Sequence, residues 1–259
     1  LSPLYIYTLA AALAATDSFT GARIVQVLVG TAAVPAIWRM TAWWANPRAA
    51  WWAAGLAVLT GVVTFHEVLI LQASLDTALP AAALLALAWA LRSERPWTMT
   101  LAGAAFGLAA LNRPNVLLVI VGLAAVMAMA RRWRAALLLA TGAVLALAPV
   151  AGRNGVVAGE WLTVSSHGGL NLYIGNSPGA TGFYQPVPGI SPTIAGQAED
   201  TRAVAGRALG RDVTDAEASD YFTGLALDWM RAHPVDAARL FVKKLAFTFH
   251  ASHVPLPYS

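Results

Sequence analysis

Three charged residues, Glu67, Asp76 and Arg113, interrupt long apolar stretches. A carboxylate inside a bilayer costs roughly 2.5–3.5 kcal/mol or more, so such a group is paired or put to use. Glu67 sits where one apolar run ends and the next begins. It is either a working carboxylate or a helix-start acid in the wet interface, where negative charge is favoured. Ser74 follows two turns along the same helical face. On a straight helix of about 100° per residue, Asp76 falls half a turn away from Glu67, so the two cannot form one dyad. Asp76 is expected to pair with an arginine or to line a cavity. Arg113 stands beside Pro114 and Asn115. The proline ends a helix and frees backbone groups that water or a ligand must satisfy. A guanidinium there suits bidentate contact with a phosphate, or equally a lipid headgroup reached by snorkelling.

Later in the chain, His167, Asn171, Tyr173, Asn176 and Tyr184 lie in a stretch rich in Gly, Asn, Ser and Pro. Amide and aromatic groups on such a backbone suit sugar binding; they suit ordinary turns just as well. The five histidines show no convincing ligand spacing beyond His250 and His253, and there is no phosphate-binding glycine loop or nucleophile elbow. The sequence requires no cofactor and leaves a divalent metal open.

The elements that must position these groups are membrane spans. The chain of 259 residues is 58% hydrophobic and only 12% charged, about half the charge of a soluble domain. Residues 1–152 carry nine arginines and four acids, whereas residues 153–259 carry eight basic and nine acidic residues. The first part therefore reads as a transmembrane helical domain and the second as an extracytoplasmic domain. Isolated arginines between apolar runs exclude a nucleic-acid surface. Cysteine is absent, which excludes disulfides and thiolate metal sites.

Seven spans are expected, at 3–16, 22–38, 50–65, 68–91, 97–112, 115–130 and 135–152, several near the short limit. Gly103 and Gly107 form a small-xxx-small pair suited to close helix packing. Arg39, Arg48, Arg92, Arg95, Arg131, Arg132 and Arg134 fall in alternate loops against the single acid Glu94. The positive-inside rule places those loops in the cytoplasm, and Arg113 and residues 153–259 outside. Residues 165–193 read as turns and short extended pieces, 195–210 and 214–233 as helices. Thr214 and Glu217 have capping-box spacing. His233-Pro234 is a helix stop, and an amphipathic helix is expected over about 235–250. The chain starts at Leu1 and stops just after this last helix, so it reads as a piece of a longer protein.

Several stretches in order carry a family likeness: SPLYIY (2–7), FHEVLILQASLDT (65–77), GLAALNRPN (107–115), SSHGGLNLYIGNSPGATGFY (165–184) and DWMRAHPVDAARLFVKKL (228–245). Together they resemble the C-type (GT-C) polytopic glycosyltransferases, specifically the bacterial relatives of protein O-mannosyltransferases and aminoarabinose transferases. The likeness covers nearly the whole chain. In that family the stretch matching SPLYIY follows the first outer loop, which holds the catalytic carboxylate, so the base is expected upstream of residue 1. Ala73 stands where the family's acidic residue would be. Glu67 is therefore offered only as a second carboxylate.

The resemblance implies a mainly α fold, a polytopic bundle followed by a smaller mixed extracytoplasmic segment, in a bacterial cytoplasmic membrane. It implies transfer of a sugar from a polyprenyl-phosphate donor to a protein, lipid or glycan acceptor on the outer side, and a piece of chain inactive by itself. Arg113 and Arg153 are placed for the lipid phosphate, with Asn115, His167, Asn171, Tyr173 and Asn176 as further substrate-binding candidates. The alternative is a transporter or flippase of lipid-linked substrates; transporters place helix breaks near the midplane, whereas here they fall at one face. The loop charges predict that a cysteine introduced as Glu94→Cys is labelled from the cytoplasmic side only and His167→Cys from outside only. The reverse labelling would overturn this orientation.

Overall fold

The computed structural model describes residues 2–61, 65–66, 68–158 and 168–249; Glu67 and His167 lie outside them. The chain divides into two compact units, Leu1–Ser165 and Ser166–Ser259. Among the described residues every regular element is a helix.

The first unit contains α1 (Pro3–Thr16), α2 (Phe19–Thr31), α3 (Ala33–Trp44), α4 (Pro47–Leu59), a 3-10 turn (Gln72–Leu75), α5 (Ala78–Arg92), α6 (Pro96–Asn112), α7 (Val116–Met129) and α8 (Trp133–Ala158). Ser2, Ser18 and Asn46 cap α1, α2 and α4 with their side chains, each satisfying a backbone donor that the helix start leaves over. Proline occupies the first turn of α1, α4 and α6, where no hydrogen bond is lost. Three helical stretches are long and apolar enough to cross a membrane: Phe19–Trp44, Gln72–Arg92 and Trp133–Val157. Pro3–Thr16 and Val116–Met129 are shorter and apolar. Leu118, Val121 and Met129 stand exposed along α7, as side chains facing lipid would.

The fourth expected span differs from the structure. A helix was expected from residue 68, but 68–71 is a bend, the 3-10 turn follows, and α5 opens only at Ala78. Pro80 gives the reason. A helix running through 68–91 would bury its ring and missing N–H in the interior; starting at Ala78 leaves Pro80 in the first turn, where it is tolerated. No straight helix joins position 67 to Asp76, so the phase argument separating those two carboxylates does not apply.

The core of the bundle is built from Leu87 on α5, Met99 and Phe106 on α6, Ile120 and Met127 on α7, and Leu139 on α8. Small residues bring α6 and α8 to backbone contact. A Cβ on Gly103 would lie 2.0 Å from the Leu139 carbonyl oxygen, and one on Gly142 1.9 Å from that of Thr100. Gly107 is also closed in, by the backbone of Ala143 and the side chain of Ala146. The expected small-xxx-small pair is therefore a packing device, reciprocated by Gly142.

α6 spans about 25 Å between two chemically different ends. At one end lie the turns bearing Arg92, Arg95 and Arg131–Arg134. Arg92 donates to the Trp43 carbonyl, and both Arg39 and Arg92 lie over the Trp43 ring. Eight of the ten tryptophans (38, 43, 44, 51, 52, 89, 97 and 133) belong to these arginine-bearing segments, which marks this end as a membrane–water interface. The other end holds Gln72, Asp76, Asn112 and Arg113. Ser2 also belongs there, because its hydroxyl meets Leu111 and Asn112. Strict alternation of seven spans would put Ser2 and Arg113 at opposite ends, so that part of the topology is corrected. The likeness of SPLYIY to a stretch following an outer loop had implied the arrangement observed.

In the second unit, α9 (Gly168–Gly175), α10 (Ile194–Leu209), α11 (Asp215–Ala232) and α12 (Pro234–Thr248) surround a core of Leu170, Ile190, Ala205, Ala218 and Phe222. α9 lies where turns and extended pieces were expected. Its helix is held by packing: a Cβ on Gly169 would be 1.8 Å from the Ser219 carbonyl oxygen, and the Gly169 N–H donates to the Ser219 hydroxyl. The capping box at Thr214 forms as expected. Arg211 donates to the Glu217 carboxylate and the Thr214 N–H does the same, lowering that carboxyl to about 2. α11 ends at His233, and Pro234 opens α12.

Overfilling the α6–α8 contact is expected to destabilise the bundle. Gly142→Ala should lower stability by about 1–3 kcal/mol, seen as a reduced melting temperature in detergent. Gly122→Ala, at a position with open space around it, should leave the melting temperature unchanged or raise it slightly. Equal melting of Gly142→Ala and the parent would contradict the backbone contact.

Candidate active site

Pro114 creates the central feature. It disfavours the helical conformation at the residue before it, and Arg113 accordingly leaves α6 with extended dihedrals, φ −133 and ψ 107. The helix end thus releases the Arg113 side chain toward the 3-10 turn. There the Arg113 Nε donates to Asp76 Oδ1 at 2.8 Å and to Oδ2 at 2.9 Å, and Nη2 also donates to Oδ2. Asp76 thus pairs with an arginine, one of its two expected roles.

A third partner orients the carboxylate. Asn112 Nδ2 donates to Asp76 Oδ1 at 2.8 Å and to the Gln72 carbonyl at 3.2 Å. Its own Oδ1 faces the Ser2 hydroxyl at 3.0 Å, and that hydroxyl also meets the Leu111 carbonyl at 2.8 Å. A hydroxyl has one proton, so these two acceptors share it. The Ser2 N–H donates to Gln72 Oε1. Asn112 is 2% exposed and Ser2 7%. A buried amide with partners at both ends is held in a single orientation. The network therefore clamps the start of α1, the 3-10 turn and the end of α6 together.

The break at Pro114 satisfies its own backbone. The carbonyls of Arg113, Pro114 and Asn115 accept from the N–H groups of Val116, Leu117 and Leu118, and Leu111 is met by Ser2. Of the backbone groups around the break, the carbonyls of Leu111, Arg113, Pro114 and Asn115 are thus partnered within the protein. What remains open is on the guanidinium. Nε and one Nη2 hydrogen face Asp76, which leaves three of five N–H donors without an acceptor among the described residues. The Arg113 and Asp76 side chains are 42% and 32% exposed, so these donors can be reached. Asp76 accepts from Arg113 and Asn112 on both oxygens; its geometry is that of a group holding a cation, and it positions Arg113.

The other candidates are distributed as follows. Asn115 precedes α7, exposed, and makes no side-chain cap bond. Arg153 lies within α8, exposed, beside Asn154. In the second unit, Asn171 stands exposed on α9. The Tyr173 ring packs against Phe222. Asn176 donates to the Leu172 carbonyl and accepts from Lys244 Nζ at 3.0 Å. Lys244 also donates to the Gly175 carbonyl, so it caps the end of α9, and burial lowers its ammonium pKa. The structure brings Asn171, Tyr173, Asn176 and the unforeseen Lys244 to one helix and its end, and Arg113 and Asn115 to another. Ser2, Gln72 and Asn112 were not singled out from sequence; an asparagine preceding an Arg-Pro step was the available signal.

A family model described as dolichyl-phosphate-mannose-protein mannosyltransferase matches residues 1–152. No curated relative and no solved structure matches the chain. The match covers the arginine-rich turns, the Asp76–Arg113 pair and all of the packed core of the bundle. The chain belongs to the dolichyl-phosphate-mannose-protein mannosyltransferase family, a family of membrane glycosyltransferases acting on lipid-linked sugars.

Proposed function

We propose that this protein transfers a sugar from a polyprenyl-phosphate donor to an acceptor on the non-cytoplasmic face of the cytoplasmic membrane, with Arg113 meeting the lipid phosphate. The observation that carries this reading is the guanidinium held by Asp76, itself held by Asn112, with three N–H donors lacking an acceptor among the described residues. It lies at the bundle end opposite the arginine-rich turns.

The chemistry fits that arrangement. The acceptor hydroxyl attacks the anomeric carbon, its proton passes to a carboxylate base, and the carbon–oxygen bond to phosphate breaks with inversion. The electron pair leaves with the phosphate oxygen. The donor is a phosphodiester with one negative charge; the departing polyprenyl phosphate acquires a second as the bond breaks. A fixed cation therefore stabilises the transition state more than the ground state, which is the condition for catalysis. Glu67 is the proposed second carboxylate of the site. Arg153 is the second proposed cation for the lipid phosphate, and Asn115, His167, Asn171, Tyr173 and Asn176 are further substrate-binding candidates.

Transfer of radiolabelled sugar from polyprenyl phosphate by the full-length protein in proteoliposomes tests the proposal. Arg113→Ala should reduce transfer by about a hundredfold or more while membrane insertion stays intact. Asp76→Asn should lose about tenfold, acting through a misplaced guanidinium. Near-normal turnover of Arg113→Ala would remove that residue from the site. Label crossing the membrane without a glycosylated product would instead identify a transporter.

A further inference from the structure

At the arginine-rich end, the α5–α6 turn and the α7–α8 turn enclose a cleft of about 810 Å³, a size that accepts a drug-sized ligand. Arg95, Arg131, Arg132 and Arg134 surround it, and Glu94 is the one acid in its lining. Met99, Leu137 and Leu138 supply apolar wall below them. We propose that this cleft binds the phosphate headgroup of an anionic phospholipid of the arginine-rich leaflet, with the acyl chains lying on the apolar wall.

Three observations support it. First, these four guanidinia have no acceptor among the described residues. Arg113, Arg202, Arg211, Arg231 and Arg239, by contrast, each contact a carboxylate. Like charges gathered around one cleft repel until an anion joins them, and a phosphate is the acceptor that matches the guanidinium fork. Second, Arg131 holds φ +58. The left-handed region is glycine's, and a side chain there costs roughly 1–2 kcal/mol. The turn needs this conformation to close, since the Arg131 backbone N–H donates to the Ala128 carbonyl and the Arg132 backbone N–H to the Met127 carbonyl. Glycine would close it without strain; arginine closes it and adds a cation to the cleft. Third, the cleft stands among the tryptophans of the interface. Trp133 lies in its lining and is 67% exposed, at the depth where headgroups and aromatic side chains meet. Basic pockets between helices on this side of a membrane are the type that takes cardiolipin-like headgroups.

A topogenic role alone requires positive charge and neither a cleft nor a guanidinium, which makes the two separable. The affinity of the purified protein for cardiolipin and for phosphatidylcholine is measured by native mass spectrometry in detergent. Cardiolipin should bind at least about tenfold more tightly than phosphatidylcholine. The triple variant Arg131→Gln, Arg132→Gln, Arg134→Gln should lose that preference. The triple variant Arg131→Lys, Arg132→Lys, Arg134→Lys keeps the topological charge and should bind about threefold or more weakly. Arg48→Gln should leave cardiolipin affinity unchanged, which separates this cleft from positive charge elsewhere in the arginine-bearing segments. Equal binding of the two lipids, a lysine variant equal to the parent, or displacement of cardiolipin by millimolar inorganic phosphate would each overturn the proposal.

Discussion

The pairing of Arg113 with Asp76 is the constraint on which this end of the bundle depends. Pro114 forces Arg113 out of α6, and the 3-10 turn brings Asp76 to meet it. Asn112 then locks the carboxylate against Ser2 and Gln72. With side chains 42% and 32% exposed, the pair contributes less to stability than the 3–5 kcal/mol lost on breaking a fully buried one. Its main consequence is direction. A long, mobile cation becomes a fixed one, and three hydrogen-bond donors are presented from a known place. The carboxylate that holds Arg113 leaves the other edge of the guanidinium exposed, with N–H donors still available to an anion.

The two ends of the first unit are held apart by α5 and α6, which run from the Asp76–Arg113 network to the arginine-rich turns. Interlocked Gly103 and Gly142 make the α6–α8 contact one of backbone against backbone. Such a contact cannot slide without steric overlap, so Asn112 and Arg113 are carried at the end of a rigid strut. Arginines serve both ends differently: at one they are stacked on tryptophan or left unpaired around a cleft, and at the other a single arginine is bound to a carboxylate. The second unit is held by its own devices, the Gly169 contact, the Thr214 capping box and the Lys244 cap on α9.

Much of this was legible in the residues. Apolar runs gave the membrane helices, Thr214 and Glu217 the start of α11, His233-Pro234 its end, and the isolated charges gave Asp76 an arginine partner. The misreadings have physical causes. A window of apolar residues does not register that Pro80 prefers a first turn, so a helix was expected from residue 68. The glycines at 168 and 169 weaken helix propensity, yet Gly169 permits the close approach to α11 that stabilises α9, a tertiary effect no local pattern contains. Loop-charge counting assumed that every apolar run alternates; the hydrogen bonds of Ser2, which join residues 109 and 110 apart in sequence, show where the start of α1 lies. Such contacts between polar side chains distant in sequence are invisible to periodicity, and they are the ones that shape the site.

The central claim is that Arg113, positioned by Asp76, recognises the phosphate of a polyprenyl lipid. Direct binding of polyprenyl phosphate to the purified protein, measured without acceptor and therefore without turnover, tests this most closely. Arg113→Gln should weaken binding by about tenfold or more, the value of a charge-assisted hydrogen bond, with the melting temperature of the bundle little changed. Unaltered affinity in that variant would contradict the account.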